Sequence, residues 1–130
     1  MTPVKQTPGK GNCLQAAIAT VLDLALDDVP DFADRKVDGD GKWFDDVATW
    51  VKEKLGRGVV AFNIDGSESI PEIRNVNAIV VGKTSRGKDD HAVVCEVDCP
   101  KEKKITFKFV HDPHRSNKFL TTLEYGIFFV

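Results

Sequence analysis

Cys13 is the residue whose type and position most directly suggest chemistry. It stands in the run Gly11-Asn12-Cys13-Leu14-Gln15-Ala16-Ala17-Ile18-Ala19-Thr20-Val21-Leu22. Leu14, Ala17, Ile18, Val21, Leu22 and Ala25 recur there at the spacing of a helix laid on a core. Gly9 and Gly11 come just before, where the chain must turn sharply. The spacing therefore puts Cys13 in the first helical turn, where unpaired backbone N–H groups and the positive end of the macrodipole favour an anion. Thiols in that position ionise more readily and become nucleophilic. The same residue type also serves as a small buried hydrophobe, so the chemical reading depends on partners.

A nucleophilic thiol needs a base to take its proton and a third group to orient that base. The chain has three histidines: His91, His111 and His114. His91 opens a strand-like run after the polar loop Thr84-Ser85-Arg86-Gly87-Lys88-Asp89-Asp90, and Asp112 closes the next strand in Val110-His111-Asp112-Pro113. If those strands pair as a hairpin, the start of one lies beside the end of the other, and topology sets His91 next to Asp112. Taken singly, His91 also reads as a surface histidine at a strand end and Asp112 as a turn former before Pro113. Gln6, a short loop ahead of Cys13, offers a side-chain amide that could join the Cys13 backbone N–H in holding an oxyanion.

The elements that must position these residues follow from periodicity. The first helix starts at Cys13 and ends by Leu26-Asp27-Asp28-Val29-Pro30-Asp31-Phe32, with Phe32 carried into the core. Asp38-Gly39-Asp40-Gly41 reads as a loop with Asp40 as an N-cap candidate. A second helix over about Lys42 to Leu55 has an apolar stripe of Trp43, Phe44, Val47, Ala48, Val51 and Leu55, acids at its start, Lys52 and Lys54 at its end, and Gly56 at C′. Strands are expected at 59–64, 77–82, 91–97, 104–110 and 125–130. The continuous apolar run of the second suggests a central place, and 98–103 reads as the hairpin connection. Helices first and strands afterward predict an α+β domain, N-terminal helices packed on an antiparallel β-sheet, formed by residues 1–130 as one unit.

In order along the chain, Gln6, Gly11-Asn12-Cys13-Leu14-Gln15-Ala16-Ala17, His91-Ala92-Val93-Val94 and Val110-His111-Asp112-Pro113 resemble the papain-like cysteine peptidases, most of all the compact C39-related bacterial and phage branch that trims leader peptides. The resemblance implies a papain-like fold and hydrolysis of an amide bond in a peptide or protein substrate. It implies Cys13 as nucleophile, His91 as general base and acid, Asp112 as orienting residue and Gln6 as oxyanion donor. Gln6 stands seven residues before Cys13, where the family commonly shows six, and the chain lacks the large additional domain of the classical members. An acyltransferase using the same triad is a near neighbour. A reading from another class is a non-catalytic binding protein on the same scaffold, such as a small phage-encoded inhibitor of a host enzyme.

Composition narrows the alternatives. A net charge of −2 and a pI near 5.9 speak against a nucleic-acid partner, which usually meets a basic face. Lys101, Lys103 and Lys104 around Glu102 read as a solvated hairpin tip. No run approaches the roughly 18 apolar residues of a membrane span, and Met-Thr-Pro-Val-Lys-Gln lacks the apolar stretch of a signal peptide. Three cysteines without a secretory signal suggest free thiols in the cytoplasm. No cofactor is expected. Cys95, Cys99, His111 and His114 are zinc-ligand types in two close pairs, but their spacing is unlike a zinc module, and structural thiols are the expected reading. Trp43 and Trp50 read as core or half-core rather than as a cleft lining.

Overall fold

The computed structural model describes residues 3–7, 12–32, 42–64, 73–84, 87–100, 105–114, 116 and 118–130, with backbone alone at 42 and 87–90. The chain is α+β. Among the described residues, helices α1 (Cys13–Leu22) and α2 (Lys42–Leu55) precede strands β1 (Val59–Asn63), β2 (Ile73–Thr84), β3 (Gly87–Cys99), β4 (Thr106–His111) and β5 (Thr122–Phe129). The strands form one antiparallel sheet in the order β1-β5-β2-β3-β4. β2 takes the centre, as its unbroken apolar run predicts. Asp40 and the loop around it, with Lys101, Lys103 and Lys104, lie outside the described residues.

Strand alternation gives the sheet two apolar faces. Ile79, Val81, Ala92, Val94, Ile127 and Phe129 pack against Leu14, Ala17 and Ile18 of α1 and Val47 and Val51 of α2. Trp43, Phe44 and Trp50 pack on the margin of this cluster, Trp50 edge-on to buried Phe32 and Trp43 beside Tyr125. Ala78, Val80, Val93, Cys95, Val97, Cys99 and Phe128 form a second cluster on the other face with Phe62, Ile73 and Leu120.

Helix α2 has the expected limits, and Gly56 follows it at φ 63°. Helix α1 is shorter than its apolar pattern suggests. It stops at Leu22, with Asp23 left-handed at φ 59° and the Leu24 N–H bonded to Ala19 O. This is a Schellman-type stop carried by Asp instead of Gly. Ala25 is consequently exposed, and a 3-10 turn over Leu26–Asp28 follows. β2 and β3 run several residues beyond their predicted ends. Among the described residues, no helix is long and apolar enough to cross a membrane.

Candidate active site

The site lies where the first turn of α1 meets the end of β4 and the start of the buried part of β3. Cys13 is the first residue of α1 and is partly exposed, while the residues behind it, Leu14 and Ala16–Thr20, are buried and fix the helix. His91 pairs across the sheet with Gly82. The β3–β4 ladder runs regularly from Asp98↔Thr106 to Cys95↔Phe109 and then shifts, so that Val94 faces His111. Val110 is the extra residue of this bulge. The shift determines which way the residues ending β4 project, because a slip of one residue exchanges the faces of a strand.

Asp112, fully buried, accepts a 2.6 Å hydrogen bond from His91 Nε2 at Oδ1. Its other bonds come from backbone: the His114 N–H at Oδ1 (2.9 Å) and the Phe119 N–H at Oδ2 (2.9 Å). Burial alone would raise the carboxyl pKa, but the bonds from His91 and the two N–H groups, together with the imidazole charge, bring it down to about 2. Asp112 is thus an anion that accepts only, and His91 Nε2 carries the proton between them. Phe119 adopts φ 55°, a left-handed conformation uncommon for its type, and its N–H is the donor to Asp112 Oδ2.

With Nε2 committed to Asp112, the Nδ1 side of His91 is left for Cys13, whose thiol lies near enough to the ring to favour its charged form. Burial works against the imidazolium. The hydrogen bonds to Asp112 and Cys13 and the charges of both outweigh it and lift the His91 pKa to about 9. The structure therefore brings Cys13, His91 and Asp112 together, with His91 bonded to Asp112 and Cys13 acting on the ring from its other side. His114 lies edge-on to His91, ring centroids 6.3 Å apart, with Nδ1 accepting from the Ser116 N–H.

Gln6 belongs to a strap, residues 3–7, that bridges the two sides of the site. On the helix side, the Val4 N–H donates to Thr20 Oγ1 (2.9 Å) and the Thr7 N–H to Asn12 Oδ1 (2.7 Å). On the sheet side, His111 Nε2 donates to Val4 O (2.6 Å), Lys5 Nζ to Asp112 O (2.8 Å), and the Gln6 N–H to Pro113 O (2.9 Å). Gln6 Oε1 is buried with no hydrogen-bond partner among the described residues. Sequence reasoning singled out Gln6 but missed the residues that hold it, above all Asn12 and His111. The one sequence signal was Asn12 three residues ahead of Gln15, the spacing of a capping pair.

The residues weighed as zinc ligands do not converge. Cys95 and Cys99 are buried in the second apolar cluster, His111 is bonded to Val4 O and His114 to Ser116. Burial pushes the Cys95 thiol up to about 12. Among the described residues, no group of three or more His, Cys, Asp or Glu side chains is placed to hold a metal ion. Comparison with protein-family models, curated proteins and solved structures gave no match to this chain.

Proposed function

We propose that this protein is a papain-like cysteine hydrolase that cleaves an amide bond in a peptide or protein substrate. The observation that carries the reading is the convergence of Cys13 with His91, which is itself bonded to buried Asp112. A structural histidine needs no thiol on one nitrogen and anchored carboxylate on the other, whereas a thiol nucleophile needs both. The order of parts along the chain adds support, since it is the order in which the sequence resembles the papain-like family.

In this reading the Cys13 thiolate attacks the carbonyl carbon, forming a C–S bond and an oxyanion held by the Gln6 amide and first-turn N–H groups of α1. The oxyanion collapses, the C–N bond breaks, and His91 Nδ1 gives its proton to the departing amine. Water, deprotonated by His91, then attacks the thioester. The C–O bond forms, the C–S bond breaks, and the proton taken from water stays on His91, which restores the thiolate–imidazolium pair. An amine in place of water would make the same site an acyltransferase.

The test is the alkylation of the three thiols by iodoacetamide near pH 6, followed by mass spectrometry. Ordinary thiols, with pKa about 8.5, are almost wholly protonated there, and Cys95 is further suppressed by burial. Cys13 is expected to react on the order of ten times faster than Cys95 or Cys99, and His91→Ala to remove the margin. If Cys13 reacts no faster than the other two and ignores His91, the hydrolase reading is abandoned for a non-catalytic binding protein.

A further inference from the structure

The residue before the nucleophile behaves unlike an ordinary helix cap. Asn12 is the N-cap of α1 and is only 3% exposed, yet its side chain makes no capping bond. Its backbone, at φ −93° and ψ 42°, is also outside the extended region usual for caps. The carboxamide points instead to the strap. Oδ1 accepts from the Thr7 N–H at 2.7 Å, and Nδ2 donates to Thr7 Oγ1 at 3.3 Å and to Gln15 Oε1 at 3.1 Å. Gln15 Nε2 in turn donates to Leu26 O (2.9 Å) and Val29 O (2.8 Å).

The orientation of both amides is dictated by backbone groups that can play one role only. A peptide N–H must meet an oxygen, which fixes Asn12 Oδ1 toward Thr7. Two peptide carbonyls must meet a donor, which fixes Gln15 Nε2 toward Leu26 and Val29 and leaves its Oε1 for Asn12 Nδ2. Two consequences follow for the site. Thr7 adjoins Gln6 and Asn12 adjoins Cys13, so one buried carboxamide sets the spacing between the proposed oxyanion donor and the nucleophile. Because its oxygen is given to the Thr7 N–H, the same carboxamide does not take up the first-turn N–H groups that an N-cap side chain would occupy.

Resting on the hydrolase reading, we propose that Asn12 is a positioning residue of the oxyanion site, tying the strap that carries Gln6 to the helix that carries Cys13 and keeping its own oxygen off the helix donors. It touches no reacting atom and acts through Thr7 and Gln6.

Two reagents separate this role from a merely structural one. Iodoacetamide alkylates a thiolate by displacing iodide, with no carbonyl oxyanion on the way. With p-nitrophenyl acetate the sulfur adds to the ester carbonyl, an oxyanion forms, the C–O bond breaks and p-nitrophenolate leaves as the acetyl thioester forms. Asn12→Ser supplies a hydroxyl that caps the helix well but is too short to hold Thr7. It is expected to keep iodoacetamide alkylation of Cys13 within about three-fold of the parent, while the p-nitrophenolate burst slows on the order of 100-fold, the scale of one lost oxyanion donor. Gln6→Ala should slow the burst similarly, and the double variant no more than the worse single one, because both act on one pocket. Should Asn12→Ser fail to fold, Thr7→Pro deletes the N–H that Asn12 accepts, outside every helix and strand, and is expected to give the same split between reagents. A burst at the parental rate in whichever variant folds overturns the role of Asn12 and leaves the hydrolase reading standing. Absence of both burst and selective alkylation in the parent overturns the two together.

Discussion

Asp112 decides the chemistry of its neighbour through the number and kind of its bonds. Among the described residues, each partner of its carboxylate is a donor: His91 Nε2, the His114 N–H and the Phe119 N–H. An amide of the same shape has one oxygen and one NH2, so Asp112→Asn must set a donor against one of these three. With Nδ2 at the Oδ1 position the amide faces both His91 Nε2 and the His114 N–H, so it donates to His91 Nε2 at the expense of the His114 bond and moves the imidazole proton to Nδ1, the side meant to receive the thiol proton. The His91 pKa, about 9 in the parent, is expected to fall by one unit or more, each unit being tenfold in the imidazolium population. NMR titration of the His91 ring reads this directly, and alkylation of Cys13 at pH 6 should slow, because a neutral ring with its proton on Nδ1 cannot accept the thiol proton there. An unchanged titration would mean that His91 owes its charge to Cys13 alone.

The elements hold this geometry through a close approach that side-chain pattern does not announce. A Cβ placed on Gly82 would lie 1.9 Å from the Thr122 carbonyl oxygen, because β2 and β5 close up where their register shifts between Val81 and Gly82. Gly82 is also the cross-strand partner of His91. Gly82→Ala is expected to destabilise the fold by about 2 kcal/mol, the scale of forced overpacking, and to shift the His91 ring signals. Gly56→Ala, with positive φ but nothing within 4 Å of the added carbon, should cost about 1 kcal/mol of backbone strain and leave the ring untouched. Chemical denaturation and one NMR spectrum of each variant check both. The same contrast shows what was legible in the sequence. Helix α2 was, because a stripe, charged ends and a C′ glycine all agree, and so was the central place of β2. The end of α1 was not, since Asp23 takes a conformation that only glycine would have advertised. The bulge at Val110 was not either, because register is settled between strands. It leaves Phe109 and Val110 adjacent and exposed on the edge strand, with Phe109 stacked on Phe119 at 4.7 Å.

In the whole molecule, the two sides of the site come from distant parts of the chain and are joined by backbone-rich bonds: the strap over 3–7 spans α1 and the 111–114 segment. Cys13, His91, Asp112 and Gln6 were visible from residue type and order. The strap that assembles them has no periodic pattern to read, and its partners lie more than a hundred residues away on one side. Because the His91–Asp112 bond lies between buried groups that belong to different strand ends, its charge state is coupled to global stability. His91 has its folded pKa raised from 6.5 to about 9. Its contribution is therefore complete below pH 6.5 and is lost as pH rises through about 9. Asp112 has its folded pKa lowered from 3.8 to about 2, so its contribution is complete above pH 3.8 and is lost as pH falls through about 2. The two shifts express largely one interaction, on the order of a few kcal/mol, and are not summed. Both hold in full only between about pH 4 and 6.5. The unfolding free energy should be flat across that window as far as this pair is concerned and decline toward pH 9.5. His91→Gln, which keeps a side-chain donor but cannot be charged, should remove most of the decline above pH 6.5 while lowering stability within the window. A parent curve as flat between pH 6.5 and 9.5 as that of His91→Gln would show that His91 is not held as an imidazolium in the folded protein.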